Sequence, residues 1–334
     1  MIITVDCGTT NLRARLFDGR RMLHEVKHKT GSRLTAFDGH CHALEESLAA
    51  AIRELLDMAS LCESDIEIIV SSGTLASDVG IIGIPHAVAP CGIRESAAAA
   101  RFARFPEITG IPFLFIPGVK TLPSTAITDP ERKIEIWDSM SGEECETYGI
   151  MEVTGLTGDF VITLPGSYNK VVTVSADGQI ISIGTGMCGE FIAAMSEHTL
   201  LKKSLPSPVI QRVIPEKLLQ GYDYCARHGV SPTLIKTRNV QVHGDFTVDE
   251  AANFFVGAIL YDDIRSVLQY RPADKPLLVG GSNPLREIFM ILLRHAGAEN
   301  LIEVDDDTAR IASSLGAMRV YREKLRAEEL HTGT

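Results

Sequence analysis

The sequence predicts a two-domain α/β protein. Three observations point there: a strand–turn–strand unit at the N-terminus, a second copy of it about half a chain later, and buried apolar strands alternating with amphipathic helices between and after them. The first unit runs through the β-prone Ile2-Ile3-Thr4-Val5 to Asp6, turns at Gly8-Thr9-Thr10-Asn11, and returns along Leu12–Phe17 to Asp18-Gly19. Alternating residues closed by Asp-Gly read as a β-hairpin. The second unit runs from Phe160 to Leu164, turns at Pro165-Gly166-Ser167-Tyr168, and returns from Asn169 to Val174 before Asp177-Gly178. Ile3-Thr4 matches Ile162-Thr163, Thr9 matches Ser167, Asn11 matches Asn169, and Asp18-Gly19 matches Asp177-Gly178. One residue is dropped in the second turn and restored in its strand. A duplicated domain follows, with residues 1–155 forming one copy and 156–334 the other.

Between the copies the elements follow from period and punctuation. A third strand is expected over Arg21–Val26, and an amphipathic helix over Ala43–Ala59, where Leu44, Leu48, Ile52, Leu55 and Leu56 recur at helical spacing. Ile66–Val70 is a continuous apolar run, as a strand buried on both faces requires. The hydroxyl-rich Ser71–Ser77 reads as the loop beyond its carboxyl end, where α/β sheets bind ligands. A helix is expected over Glu95–Phe105, a strand over Pro112–Ile116, an exposed excursion over Thr121–Lys133, and a short strand near Ile134 leading to a helix start at Ser141-Gly142-Glu143-Glu144. After the second hairpin come a strand over Gln179–Ile183, a helical, Pro-punctuated stretch over Leu200–Thr247, and a long helix over Asp249–Tyr270. Pro276–Val279 is a buried strand ending at Gly280-Gly281-Ser282-Asn283, with Asn283 capping a helix and Pro284 at its first position. A short strand at Leu301–Val304 and a helix over Thr308–Glu329 close the chain.

The turns carry the chemistry. Gly8, Thr9, Thr10 and Asn11 offer backbone N–H groups and hydroxyls to phosphate oxygens. Asp6, at the strand end, suits an outer-sphere Mg²⁺ partner, because Mg²⁺ keeps several waters and takes few carboxylates. The second copy has Lys170 where the first has Leu12, and no acid matching Asp6, so one half supplies a metal partner and the other a cation. Glu143 and Glu144 are adjacent and project about 100° apart on a helix, so at most one aims directly at a ligand. Gly184-Thr185-Gly186-Met187-Cys188-Gly189 has the spacing of a dinucleotide fingerprint. The acid that reading needs about twenty residues on is missing, since Lys202–Pro208 holds no acid and no strand, so the glycines are assigned to close backbone approach instead. Gly280-Gly281 lets a flat adenosine approach the chain. No G-x-x-x-x-G-K-[ST] is present, which excludes the P-loop class.

Bulk properties narrow the class further. A net charge of −11 argues against nucleic-acid and membrane-surface partners, which need a basic face, while leaving small anions open. Seven scattered cysteines with no C-x-x-C pair indicate reduced thiols, and no signal-peptide pattern or apolar run of membrane-spanning length is read, so the expected location is the cytoplasm.

Four segments also carry a family resemblance. Asp6–Ala14 resembles the opening motif of the 2-dehydro-3-deoxygalactonokinase family, a branch of the sugar-kinase, Hsp70 and actin superfamily. Ser141-Gly142-Glu143-Glu144 is similar to its Arg-Gly-Glu-Glu segment, with Ser141 in place of Arg. Leu164–Lys170 resembles its Pro-Gly-Thr-His-x-Lys turn, with Tyr168 in place of His. Cys188-Gly189-Glu190-Phe191 and His198-Thr199-Leu200 resemble its Thr-Gly-Glu-Leu and His-Ser-Leu pair. The resemblance runs nearly end to end. It implies two actin-like ATPase (ribonuclease-H-like) domains around a central cleft, Mg²⁺ and ATP, and γ-phosphate transfer to the 6-hydroxyl of 2-dehydro-3-deoxy-D-galactonate in galactonate degradation.

On that reading Gly8, Thr9, Thr10, Asn11, Gly166, Ser167 and Lys170 cradle the phosphates, and Gly280, Gly281 and Ser282 take the adenosine. Asp6 orders the metal's waters, and Arg13 neutralises charge on the phosphoryl group or the substrate carboxylate. Glu144, or its rival Glu190, takes the acceptor's proton, while Ser72, Gly73, Thr74, Glu143 and Gly189 meet the sugar acid. The implied partner is a small sugar acid, with a homodimer as the candidate assembly. Two alternatives stand beside it: a kinase for another sugar acid or sugar, because Ser141 and Tyr168 depart from the pattern, and an exopolyphosphatase-like phosphohydrolase, which would share Asp6 and the Glu144 stretch.

Overall fold

The computed structural model describes residues 1–272 and 274–332. β1 (Ile2–Cys7), β2 (Leu12–Asp18) and β3 (Arg21–His28) form the predicted antiparallel meander, in a register that sets Asp6 opposite Arg13 and Arg13 opposite Lys27. After α1 (Ser32–Asp38), α2 (His42–Ala59) buries Leu44, Leu48, Ile52 and Leu55 along one stripe. β4 (Ile68–Gly73) is buried throughout and pairs parallel with β1. It continues through Ser71, Ser72 and Gly73, which the sequence assigns to a loop. The reason is its partner: β1 extends to Cys7, which pairs with Gly73, and only Thr74–Ala76 leaves the strand as a 3₁₀ turn.

Next come β5 (Ala87–Val88), α3 (Ile93–Ala99), β6 (Arg101–Ala103), β7 (Phe113–Phe115), β8 (Val119–Thr121), α4 (Pro130–Ile136), β9 (Asp138–Met140) and α5 (Glu143–Thr154). Two expectations are corrected here. The helix expected to reach Phe105 stops at Ala99, because Ala100 turns extended and Arg101–Ala103 pairs antiparallel with β7. The strand expected from Ile134 begins at Asp138, because Asp129 caps a helix over the preceding residues by accepting the Glu131 N–H, with Pro130 at its first position.

The second hairpin unit is β10 (Phe160–Leu164), β11 (Asn169–Val174) and β12 (Ile180–Gly186). It is followed by α6 (Cys188–His198), α7 (Pro215–His228), α8 (Val230–Val242), α9 (Val248–Tyr270), β13 (Leu277–Val279), α10 (Leu285–His295), β14 (Leu301–Glu303) and α11 (Asp306–Thr332). Thr247 and Glu250 form a reciprocal capping box at the start of α9. One sheet has the order β3-β2-β1-β4-β7-β6, another β12-β11-β10-β13-β14, and a third, smaller one β5-β8-β9. In the first two, the leading strand of a hairpin pairs parallel with a later strand, β1 with β4 and β10 with β13. The pattern repeated in the hairpins is thus repeated in how each leading strand pairs.

Two compact units result. One comprises Met1–Gly158, Val174–Ile183 and the chain from Asp306 onward; the other comprises Asp159–Thr173 and Gly184–Asp305. This differs from a single division near residue 155. Cys91 and Ile180 exchange backbone hydrogen bonds of 3.0 and 2.9 Å, which brings Val174–Ile183 into the first unit. Leu315 and Met318 of α11 pack on Phe17, and α5 meets α11 where a Cβ at Gly149 or Gly316 would strike the facing backbone. The first core gathers Ile3, Val5, Leu12, Leu48 and Ile69; the second gathers Val161, Phe255, Ile259, Leu277 and Phe289. Among the described residues, no helix is long and apolar enough to cross a membrane.

Candidate active site

In the first unit the turn after β1 closes on itself, with the Gly8 N–H donating to Asn11 O at 2.9 Å. The carbonyls of Gly8 and Thr9 are taken by the N–H groups of Ser32 (3.2 Å) and Arg33 (3.0 Å). The carbonyls of Gly8, Thr9 and Asn11 are thus already paired, which leaves fewer bare acceptor oxygens to repel an anion at this turn. Gly8 and Thr10 are exposed, and Thr9 and Asn11 half-buried. Asp6, also half-buried, lies 3.7 Å from the Arg13 guanidinium directly across the hairpin. Arg13 in turn faces Lys27, whose proton affinity is lowered by partial desolvation and by the Arg13 charge. Directly opposed residues share one face of a sheet, so an acid and two bases form a row across β1, β2 and β3. Ser72 is buried opposite Asp6, Gly73 is buried, and the Thr74 hydroxyl donates to Cys7 O at 3.0 Å. These three residues support the end of β1.

Gly142 seats the next segment against that strand end. A Cβ there would lie 3.2 Å from Gly73 Cα and 3.5 Å from Asp6 Oδ1, and its φ of +111° is one that glycine tolerates best. The Gly142 N–H donates to Glu144 Oε2 (2.8 Å), and the Ser141 N–H donates to Glu143 Oε2 (3.0 Å). Both carboxylates therefore fold back on the start of α5, where the helix dipole favours negative charge. They differ in exposure. Glu143 is half-buried, whereas Glu144 has 0% of its surface exposed and a buried Oε1 with no hydrogen-bond partner among the described residues. Burial, and then the charge of Glu143, push the Glu144 carboxyl up to about 8. The sequence ranks Glu144 first as proton acceptor, but in this conformation it has no surface with which to touch a substrate. Ser141 Oγ, beside it, shares a hydrogen bond with His86 Nε2 (3.1 Å).

In the second unit Lys170 is buried and donates from Nζ to Thr185 Oγ1 (2.7 Å), while Gly166 and Ser167 are half-buried. The first turn of α6 rests on this turn: the Glu190 N–H donates to Ser167 O (2.9 Å), and a Cβ at Gly189 would lie 2.7 Å from Ser167 Cα. Glu190 itself is half-buried. The Gly280 N–H donates to Thr163 O (2.9 Å), and a Cβ at Gly281 would lie 2.6 Å from Pro165 O, so the turn after β13 sits directly on the Pro165 turn. Ser282 is exposed. Asn283 accepts the Glu287 N–H (3.2 Å), but α10 starts at Leu285 with Pro284 as the flanking residue, one position later than expected. Buried Arg286 donates to Gly281 O (3.1 Å) and to Glu303 (3.2 Å).

Three side chains outside the sequence expectations join these clusters: Lys27, His86 and Asp263. Lys27 was accessible by counting across the hairpins, whereas His86 and Asp263 arrive by tertiary packing and leave no local signal. Of the thiols inside the motifs, Cys7 is pushed up to about 12, chiefly by burial, which disfavours its thiolate. Among the described residues, no three His, Cys, Asp or Glu side chains converge on a metal position. The single carboxylate of Asp6 fits Mg²⁺ held through waters. A concavity of about 580 Å³ lined by Met151, Glu152, Asp177 and Arg319 lies at the far end of α5 from Glu143 and carries none of these groups.

Two solved structures share the fold. A candidate 2-dehydro-3-deoxygalactonokinase protein from Sinorhizobium meliloti matches with a TM-score of 0.73 and 18% identity, covering 96% of both chains. The activator of 2-hydroxyisocaproyl-CoA dehydratase from Clostridium difficile, solved with bound ADPNP, matches with a TM-score of 0.51 and 12% identity over 100% of this chain and 97% of that one. The fold is that of the actin-like ATPases. No curated protein matches at a significant level. The family model for 2-keto-3-deoxy-galactonokinase, keto and dehydro naming the same group, matches residues 6–314, from Asp6 at the first turn to Ser314 in α11. The resemblance carried by the four motifs is thereby borne out, and the chain belongs to the 2-keto-3-deoxy-galactonokinase family.

Proposed function

We propose that this ATP-dependent carbohydrate kinase transfers the γ-phosphate to the 6-hydroxyl of 2-dehydro-3-deoxy-D-galactonate. The observation that carries the reading is the Gly8–Asn11 turn, its carbonyls tied off beside Asp6, in a chain of this family. Phosphoryl transfer asks a protein mainly for positioning and charge stabilisation. Thr9, Thr10 and Asn11, in the turn that Gly8 closes, together with Gly166, Ser167 and Lys170, supply N–H, hydroxyl and ammonium donors to the phosphates. Gly280, Gly281 and Ser282 take the adenosine. Asp6 holds waters of Mg²⁺, which when bound neutralises phosphate charge. Arg13 and Lys27 supply positive charge for the transferred group or the substrate carboxylate.

The acceptor hydroxyl must also lose its proton. Glu190 keeps exposed surface, while Glu144 has none and already binds the Gly142 N–H, so the proton is assigned to Glu190 and a positioning role to Glu144. The test is an ATP-consumption screen over 2-keto-3-deoxy sugar acids and simple sugars, run on wild type, Glu190→Gln and Glu144→Gln. The highest kcat/KM should fall on 2-dehydro-3-deoxy-D-galactonate. Glu190→Gln should lower kcat by about 10²–10⁴-fold with ATP binding retained, and Glu144→Gln should keep most of the turnover. Phosphate release as fast without an acceptor as with one would replace the kinase reading with a phosphohydrolase. A second reading, a kinase for another sugar acid, is favoured by the Ser141–His86 pair standing where the family pattern has Arg.

A further inference from the structure

We propose that Asp263 is a positioning residue for the second phosphate turn, acting through Asn169; this rests on the kinase reading above. Asp263 lies on α9, a helix whose residues 251–260 are all buried. Asp263 is itself only 9% exposed, and its buried Oδ1 has no hydrogen-bond partner among the described residues. An acid on such a face costs free energy that an apolar residue would not. Burial, with the neighbouring Asp262 charge second, pushes its pKa up to about 6.

Against that rise, an interaction with the Asn169 side chain stabilises the ionised carboxylate. Asn169 Oδ1 accepts the Thr163 hydroxyl at 2.7 Å, which leaves its amide N–H to donate to the carboxylate. Thr163 lies near the end of β10 and Asn169 opens β11, so the chain Thr163–Asn169–Asp263 ties together the two ends of the turn that contains Gly166 and Ser167. The same carboxylate lies against Gly186, where a Cβ would strike Oδ1. Gly186 follows Thr185, the acceptor of the Lys170 ammonium. One acid thus supports the turn and, through the backbone beside Thr185, the partner of its cation.

The test uses the full chain, steady-state kinetics in both substrates, and calorimetric binding of ATP. Asp263→Ala should raise the KM for ATP about tenfold while the KM for the sugar acid stays within about twofold. Asn169→Ala should do the same, and the double variant should be no worse than either single one, because both remove a single linkage. Asp263→Asn, which keeps an oxygen facing the Asn169 amide, should recover most of the loss. An unchanged KM for ATP in Asp263→Ala, equal rises for both substrates, or multiplying effects would overturn the proposal. Should Asp263→Ala fail to fold, Asn169→Ala decides, since a wild-type KM for ATP there removes the linkage. If wild type binds no ATP, the kinase reading itself fails and this proposal goes with it; ATP binding indifferent to Asp263 and Asn169 sinks the proposal alone.

Discussion

Glu144 shows how one buried side chain can bear on stability and chemistry at once. Unfolded, it titrates near 4.5; folded, at about 8. Below pH 4.5 the carboxyl is protonated in both states and costs nothing extra. As pH rises towards 8, the unfolded chain releases a proton that the folded chain keeps, so stability falls until the folded group ionises as well. The full span is on the order of 5 kcal/mol. Glu144→Gln keeps an oxygen for the Gly142 N–H and removes the titration. Its Tm should therefore match wild type near pH 4.5 and exceed it by several degrees at pH 8.5, measured by calorimetry across that range. An equal offset at both ends would mean that Glu144 does not titrate in this window. Asp6 gives the opposite contrast. Its ion pair with Arg13, at 3.7 Å and partly exposed, is worth roughly 0–1 kcal/mol. Asp6→Asn should leave Tm nearly unchanged yet lower kcat by about 10²-fold or more, the scale of removing one preorganised electrostatic group. A variant with wild-type turnover across a Mg²⁺ titration would take Asp6 out of the metal site.

At the scale of elements, the segment joining β9 to α5 is held by geometry rather than charge. Gly142→Ala places a Cβ at φ +111° and 3.2 Å from Gly73 Cα. Strained backbone of this kind costs about 1–3 kcal/mol, and the displaced segment carries Glu143 and Glu144. The expected result is a lower denaturation midpoint together with a loss of kcat/KM for the sugar acid larger than that for ATP; equal losses would show that the segment serves no particular substrate. Where the chain's period and punctuation were strong, elements were legible in advance. The hairpins, α2, α9 and the strand before Gly280 all lie within a few residues of expectation. The errors arose where a neighbour overrode local preference. Ser71–Gly73 looks like a loop until β1 is present to pair with it, and Arg101–Ala103 looks helical until β7 is. Within the candidate site, the turns themselves were legible because glycine, hydroxyl and acid spacing is local. Glu144's burial, the Ser141–His86 bond and Asp263 beneath Asn169 were not, because each depends on contacts across 50 or more residues or on a helix face whose depth no pattern encodes.

For the whole molecule, the paired hairpins do not mark where the chain divides. The final helix returns to the first unit and lies along α5, α3, β1 and β4. There Leu315, Met318 and Val320 are at most 4% exposed. Each buried side chain of this size contributes about 1.5–3 kcal/mol, so the three together supply roughly 5–9 kcal/mol. A typical net stability is only about 5–15 kcal/mol, so losing the helix removes most or all of the margin. The helix also cannot be replaced by a looser one, because Gly149 and Gly316 bring the two backbones to contact distance. A fragment ending at Gly158 should therefore lack a cooperative thermal transition and bind hydrophobic dye. Supplying a peptide of residues 306–332 in trans should restore helical signal and cooperativity, and the same peptide carrying Gly316→Val should not. A fragment of residues 1–158 that melts cooperatively on its own would show that α11 is an accessory to the first unit rather than part of its core.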